Sequence, residues 1–182
     1  MSICSQSTNS LLERITYLQK ITNLFTIIFY FNTKEKAMQG TILELFITKN
    51  DENKTREQVQ SIKVDKDGIL EDKFHGKNLL RSILISSTDS YEITKSNGIE
   101  IEKGSLGENI LVDLNPYALV CGDKLQIGDT ILEITQNCTL CKGLAVVNPK
   151  LPKLLKDDRG IFAKVISGHG IIRINDKVTI LK

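Results

Sequence analysis

Residues 124–135 read Lys-Leu-Gln-Ile-Gly-Asp-Thr-Ile-Leu-Glu-Ile-Thr. Two short runs, Lys124 to Ile127 and Thr130 to Thr135, are rich in Ile and Leu and are joined by Gly128-Asp129. Runs of this length around a two-residue turn signal predict paired strands with a tight connection. The pattern repeats outward in both directions. Thr41 to Thr48, Ile83 to Ser86, Asn109 to Val112, Ile161 to Ser167, Ile171 to Ile174 and Lys177 to Leu181 are further strand-like runs. Asp67-Gly68, Asn97-Gly98, Gly122-Asp123, Gly168-His169-Gly170 and Asn175-Asp176 punctuate them. Strands this close together predict a mainly β fold, a small closed β-barrel with a few short peripheral helices. The helical candidates are Asp89 to Ser96, with Asp89 as its cap, Leu140 to Val147 and Leu151 to Lys156. The charged stretch from Asn50 to Gln60 reads as a solvated hairpin tip or loop.

Ahead of this pattern the composition changes. Residues 1–37 contain no Gly and no Pro, yet Tyr17, Phe25, Phe29, Tyr30 and Phe31 lie there. Leu11, Leu12, Ile15, Leu18, Ile21, Phe25, Ile28 and Phe29 recur at three- and four-residue steps, as on one stripe of a helix. The longest unbroken apolar stretch there, Ile27 to Phe31, falls far short of the roughly 20 residues a membrane span needs. No small-residue cleavage site follows it. The segment reads as an interfacial amphipathic helix, a helix packed on the domain, or an extension ahead of a start at Met38. The third is the expectation, with 1–37 a leader and 38–182 the domain.

The whole chain carries 24 Lys and Arg against 22 Asp and Glu over 182 residues, a net charge of +2. Arg14, Lys20, Lys34 and Lys36 against Glu13 and Glu35 account for that excess, so residues 38–182 are neutral. A neutral body does not advertise nucleic acid as a partner. The chain is long enough for one domain with a sizeable core.

Four cysteines, Cys4, Cys121, Cys138 and Cys141, without a secretory signal fit a reducing cytoplasm rather than a disulfide framework. A zinc ribbon needs a second C-x-x-C or a His pair, and His75 and His169 lie far apart. Cys138 and Cys141 leave open a redox dithiol between a strand and a short helix. Cys121 and Cys138 otherwise read as small buried apolar residues. Lys142 follows Cys141 directly, and a nearby cation favours the nucleophilic, metal-ligating thiolate. Gly104-Ser105-Leu106-Gly107-Glu108-Asn109 is a poor phosphate loop without a following helix and reads as a tight turn into a strand. His75 is a candidate acid, base or anion contact. Arg159, just before a strongly apolar strand, offers a bidentate fork for phosphate or carboxylate.

Five segments taken in order carry a resemblance: Gly68-Ile69-Leu70-Glu71-Asp72-Lys73-Phe74-His75-Gly76, Gly104-Ser105-Leu106-Gly107-Glu108-Asn109-Ile110, Leu125-Gln126-Ile127-Gly128-Asp129, Glu133-Ile134-Thr135-Gln136 ahead of Cys141, and Arg159-Gly160-Ile161-Phe162-Ala163-Lys164-Val165. From about Gly40 to Leu181 the chain is similar to the MOSC family, named for the C-terminal domain of molybdenum cofactor sulfurase. The resemblance implies a cytoplasmic, stand-alone β-barrel that handles the molybdenum cofactor. In such a protein Cys141 would carry sulfur or ligate molybdenum, and some members reduce N-hydroxylated compounds. His75, Lys142, Arg159 and the Gly107-Glu108-Asn109 turn would hold the cofactor, the basic groups meeting its phosphate. The implied partners are a cofactor or sulfur donor or acceptor and an electron-transfer protein, with no stable membrane insertion. A non-catalytic delivery module is the alternative. Where the family commonly has Pro and Arg ahead of the Cys, this chain has Asn137-Cys138-Thr139-Leu140; where the last turn usually reads Gly-Asp, it has Asn175-Asp176. The pyridoxal-phosphate desulfurase domain of fusion members is not expected to fit in a chain of this length, so pyridoxal phosphate is not an expected cofactor.

Overall fold

A computed structural model describes residues 38–52, 55–139 and 142–181, with Lys142 by its backbone alone. The stripe assigned to residues 1–37, Cys4, Leu140, Cys141 and the Lys142 side chain lie outside the described residues. The strands are β1 (Gln39–Thr48), β2 (Arg56–Val59), β3 (Ser61–Asp65), β4 (Gly68–Ile69), β5 (Ile83–Ser87), β6 (Ile110–Val112), β7 (Lys124–Ile127), β8 (Thr130–Asn137), β9 (Ile161–Ser167), β10 (Ile171–Arg173) and β11 (Lys177–Leu181). Among the described residues three short helices accompany them, α1 (Thr88–Ser96), α2 (Lys142–Val147) and α3 (Leu151–Leu154), with a 3-10 turn at Leu79–Arg81.

The stretch at 124–135 is a hairpin, with Ile127 facing Thr130 and Lys124 facing Glu133 across β7 and β8. Leu125 and Ile127 point inward and Lys124 and Gln126 outward, the period-two signature of a half-buried strand. Seven strands follow one another as β11-β7-β8-β9-β5-β6-β1, and β1 pairs with β11 to close the ring. Ile42, Ile85, Ile110, Leu132, Ile161 and Val178 are among the side chains filling its interior. β1 makes this possible by changing partners along its length: β11 at Gln39–Thr41, β6 at Ile42–Leu45, with an irregularity between Ile42 and Glu44, and β2 at Leu45–Thr48. A second sheet, β10-β3-β4, lies apart in the pairing scheme.

Within the barrel only β5 and β6 run parallel. A parallel pair cannot be joined by a hairpin, so the chain crosses over through α1 and the Gly104–Asn109 turn. Ile99, Leu106, Leu144, Leu151 and Leu155 form a second small core, with Tyr91 of α1 packed against it. All five residues of β5 are buried.

The eight predicted strands are present, although β10 ends one residue early, at Arg173. β2, β3 and β4 are additions. β2 occupies the later part of the charged stretch read as a hairpin tip or loop; none of its four residues is fully buried, so no apolar alternation marks it. Asp89 is not the cap of α1: Ser87 is, its hydroxyl accepting from Asp89 N at 3.2 Å. Cys121 is exposed rather than buried. It sits in a turn where Val120 N donates to Asp123 Oδ2 and Gly122 takes a φ of +97°, so Val120 and Cys121 face away from the core while Leu119 of the same run is buried in it.

Candidate functional site

The end of β1, the start of β2, β5 near its start, the turn ahead of β6 and the junction between β8 and β9 each contribute residues to one pocket. It has a volume of about 440 Å³ and is lined by Thr48, Arg56, Lys73, Phe74, Asn78, Arg81, Leu84, Gly107, Asn109, Cys138, Arg159 and Phe162. That volume suits a small organic ligand. Four lining side chains are cationic and, among the described lining residues, none is a carboxylate.

Arg159 precedes β9 and is only 7% exposed. Its Nε and Nη2 both donate to the Leu106 carbonyl, at 3.1 and 2.7 Å, while Nη1 is buried without a hydrogen-bond partner. No carboxylate pairs with it among the described residues. A buried cation without a countercharge is expensive, so the arrangement favours an anion brought by a ligand. The Leu106 carbonyl is offered by the turn ahead of β6, where Gly107 has a φ of +87°. A Cβ on Gly107 would also stand 3.4 Å from Arg159 Nη2.

Arg56, on β2, crosses toward the same turn. Its Nη1 donates to Thr48 Oγ1 at 3.1 Å, its Nη2 donates to the Glu108 carbonyl, and its guanidinium lies 5.2 Å over the Phe46 ring. Arg81 stacks on Phe162 at 4.6 Å, and Lys73 stands 4.9 Å from the Phe74 ring centre. Leu84, Cys138 and Phe162 cluster as the apolar part of the wall. The Cys138 backbone N–H donates to the Gly160 carbonyl at 2.8 Å, tying the segment after β8 to the start of β9.

Asp72 organises the rim from behind. Its Oδ2 accepts from Thr48 N at 2.8 Å and from Asn109 Nδ2 at 3.3 Å, and its Oδ1 accepts from Phe74 N at 2.9 Å. The turn bearing Lys73 and Phe74 is thereby fastened to the end of β1.

The expected site residues fall into four groups. Gly107, Asn109 and Arg159 meet at the pocket. Glu108 is buried beside it, Oε1 accepting from the Tyr91 hydroxyl and from Gly104 N at 3.0 Å. Burial pushes the Glu108 carboxyl above its usual range, against the Tyr91 hydrogen bond and the charge of Arg56. His75 is not among the described pocket-lining residues; its Nε2 is 2.9 Å from Asp65 Oδ1. Cys141 and the Lys142 side chain lie outside the described residues. Arg56, Lys73, Arg81 and Asp72 are additions, and Cys138 lines the pocket as well as being buried. Lys73 and Asp72 stand in the segment singled out around His75, so adjacency was an available signal; Arg56 had none.

Fold and site together define a small closed-barrel domain with a cation-lined pocket. The chain belongs to the MOSC domain family, whose model matches residues 71–179. Its fold is shared with the crystal structure of the YuaD protein from Bacillus subtilis, at a TM-score of 0.69 and 20% identity over 80% of this chain and 97% of that one. It is also shared with YiiM from Geobacillus stearothermophilus, at 0.62 and 17% over 79% and 75%. YiiM from Escherichia coli gives 0.60 and 15% over 80% and 70%. No curated protein sequence matches the chain significantly.

Proposed function

We propose that this MOSC domain handles the molybdenum cofactor in the cation-lined pocket, with Cys141 as the thiolate that carries sulfur or ligates the metal. The observation that carries the reading is the Arg159 guanidinium, buried at the pocket and lacking any carboxylate partner among the described residues. Such a group suits the phosphate of a pterin cofactor, which accepts a forked donor. When bound, the cofactor would supply oxygen- or sulfur-transfer chemistry coupled to electron transfer, including reduction of N-hydroxylated compounds. Arg159 and Arg56 would hold its anionic end, Gly107 would let the backbone approach, and Phe162 with Leu84 would keep water from the inner wall. Asn109 holds the frame, because its amide is already committed to Leu84, Phe46 and Asp72.

Native mass spectrometry with metal analysis on anaerobically purified protein tests this. Metal and pterin, or a persulfide on Cys141, are expected, and Cys141→Ala should lose them. Unchanged cofactor content and unchanged reductase activity in Cys141→Ala would sink the proposal. Transfer of cofactor to an acceptor without turnover would identify a delivery module.

One observation favours a second reading, a redox dithiol: Cys138, three positions before Cys141, lines the same pocket. That reading requires Cys138→Ser to impair function as severely as Cys141→Ser. An active Cys138→Ser variant eliminates it.

A further inference from the structure

Glu108 lies behind the pocket rather than in its wall. Its carboxylate is completely buried, Oε1 is engaged by Tyr91 and Gly104, and Oε2 has no hydrogen-bond partner. Oε2 stands 4.0 Å from Arg56 Nη2, too far for a hydrogen bond. Arg56 in turn lines the pocket, and its Nε is buried without a partner. One cation therefore faces a buried carboxylate on one side and the ligand space on the other.

The neighbours leave few other ways to balance charge. From α1 the Tyr91 hydroxyl faces Glu108, and burial together with the Glu108 charge pushes that phenol well above its normal range, so it stays neutral. From the turn ahead of β6 come the Gly104 amide and the backbone N–H of Glu108 itself. From beyond β4, Asp72 contributes negative charge near Arg56, with its own oxygens spent on Thr48, Phe74 and Asn109. Arg159 is anchored on Leu106, and Lys73 and Arg81 lie over aromatic rings. An oxyanion entering the pocket competes with Glu108 for Arg56. Two anions sharing one cation in a water-poor site are poorly compensated, and neutralising the more deeply buried one relieves this.

We propose that Glu108 is a positioning residue that couples anion binding in the pocket to uptake of one proton, with Arg56 as the cation the two negative charges share. The proton comes from solvent and resides on the Glu108 carboxyl; no bond to the ligand forms or breaks. The coupling rests on the reading of the pocket as an anion receptor, whatever larger molecule bears the anion.

Sulfate is a suitable probe because it remains a dianion from about pH 5 to pH 9, so any pH dependence belongs to protein groups. Calorimetric titration of the full chain, in two buffers of different ionisation enthalpy, reports both affinity and proton uptake. Wild-type protein should take up a proton on binding sulfate, and its affinity should fall with rising pH by up to about tenfold per unit where Glu108 titrates. Glu108→Gln keeps an acceptor for Tyr91 and should bind sulfate with no proton uptake and a flat profile. Arg56→Gln should weaken binding and flatten what pH dependence remains. Wild-type binding without proton uptake overturns the coupling but leaves the anion receptor standing. A pH slope retained in either variant assigns the proton elsewhere and also overturns it. Absence of sulfate binding by the wild type at any pH overturns both readings.

Discussion

Asn109 spends its amide on the frame. Its oxygen accepts from Leu84 N at 3.0 Å and its nitrogen donates to the Phe46 carbonyl at 3.2 Å and to Asp72. A leucine there fills similar volume but strands Leu84 N–H and the Phe46 carbonyl in a dry interior. Each stranded group costs about 1–3 kcal/mol, so Asn109→Leu should unfold at markedly lower urea concentration. Gly107→Ala tests a different constraint: a side chain at φ +87° costs about 1–3 kcal/mol in strain, and its Cβ crowds Arg159. Sulfate affinity should fall with the melting temperature in Gly107→Ala; a variant that binds as wild type would show that Arg159 does not depend on this turn. Arg159 was legible because an Arg directly ahead of an apolar strand is conspicuous. Arg56 was not, since its value lies in a contact with a turn 52 residues away, and nothing around it in a charged stretch marks it out. The motif that contains Glu108 was visible, but whether a carboxylate faces a ligand or the space behind it depends on α1, which only the crossover brings near.

At the scale of elements, the strands that could be read were those with one face against the barrel interior. β7 shows this alternation in four residues. β2 could not be read for the opposite reason: pairing with β1 holds it in place while its side chains remain partly exposed. Helix α1 was found but its start was misplaced, because Ser87 and Asp89 are both good capping residues and only the backbone bend at Ser87, φ −105° and ψ 157°, distinguishes them. Ser87→Ala should therefore cost about 1 kcal/mol, whereas Asp89→Ala should cost less. Thermal denaturation of the two variants checks the order, and an equal or reversed loss would remove Ser87 from the cap.

Across the whole molecule, Glu108 makes stability depend on pH independently of any ligand. Burial raises its carboxyl in the folded state, so the native protein holds that proton more tightly than the unfolded chain does. The associated stabilisation is complete below the ordinary carboxylate value and is lost as pH rises through the raised one. Relative to Glu108→Gln, the wild type should thus melt at progressively lower temperature as pH climbs above the usual carboxylate range. A difference between the two proteins that stays constant with pH would place the proton elsewhere.

The seam at which Gln39 faces Thr179 also bears on how the chain is made. A polypeptide leaving the ribosome exposes β1 early, yet the strand that closes the ring against it emerges only after β7, β8 and β9. During that interval the opening of β1 presents unpaired backbone donors and acceptors, the kind of edge that captures a neighbouring strand. Contacts between such distant residues also slow barrel closure once synthesis permits it. The half-made barrel is therefore the stage at which crowding with other nascent chains is most damaging, and at which a chaperone covering β1 has most to protect.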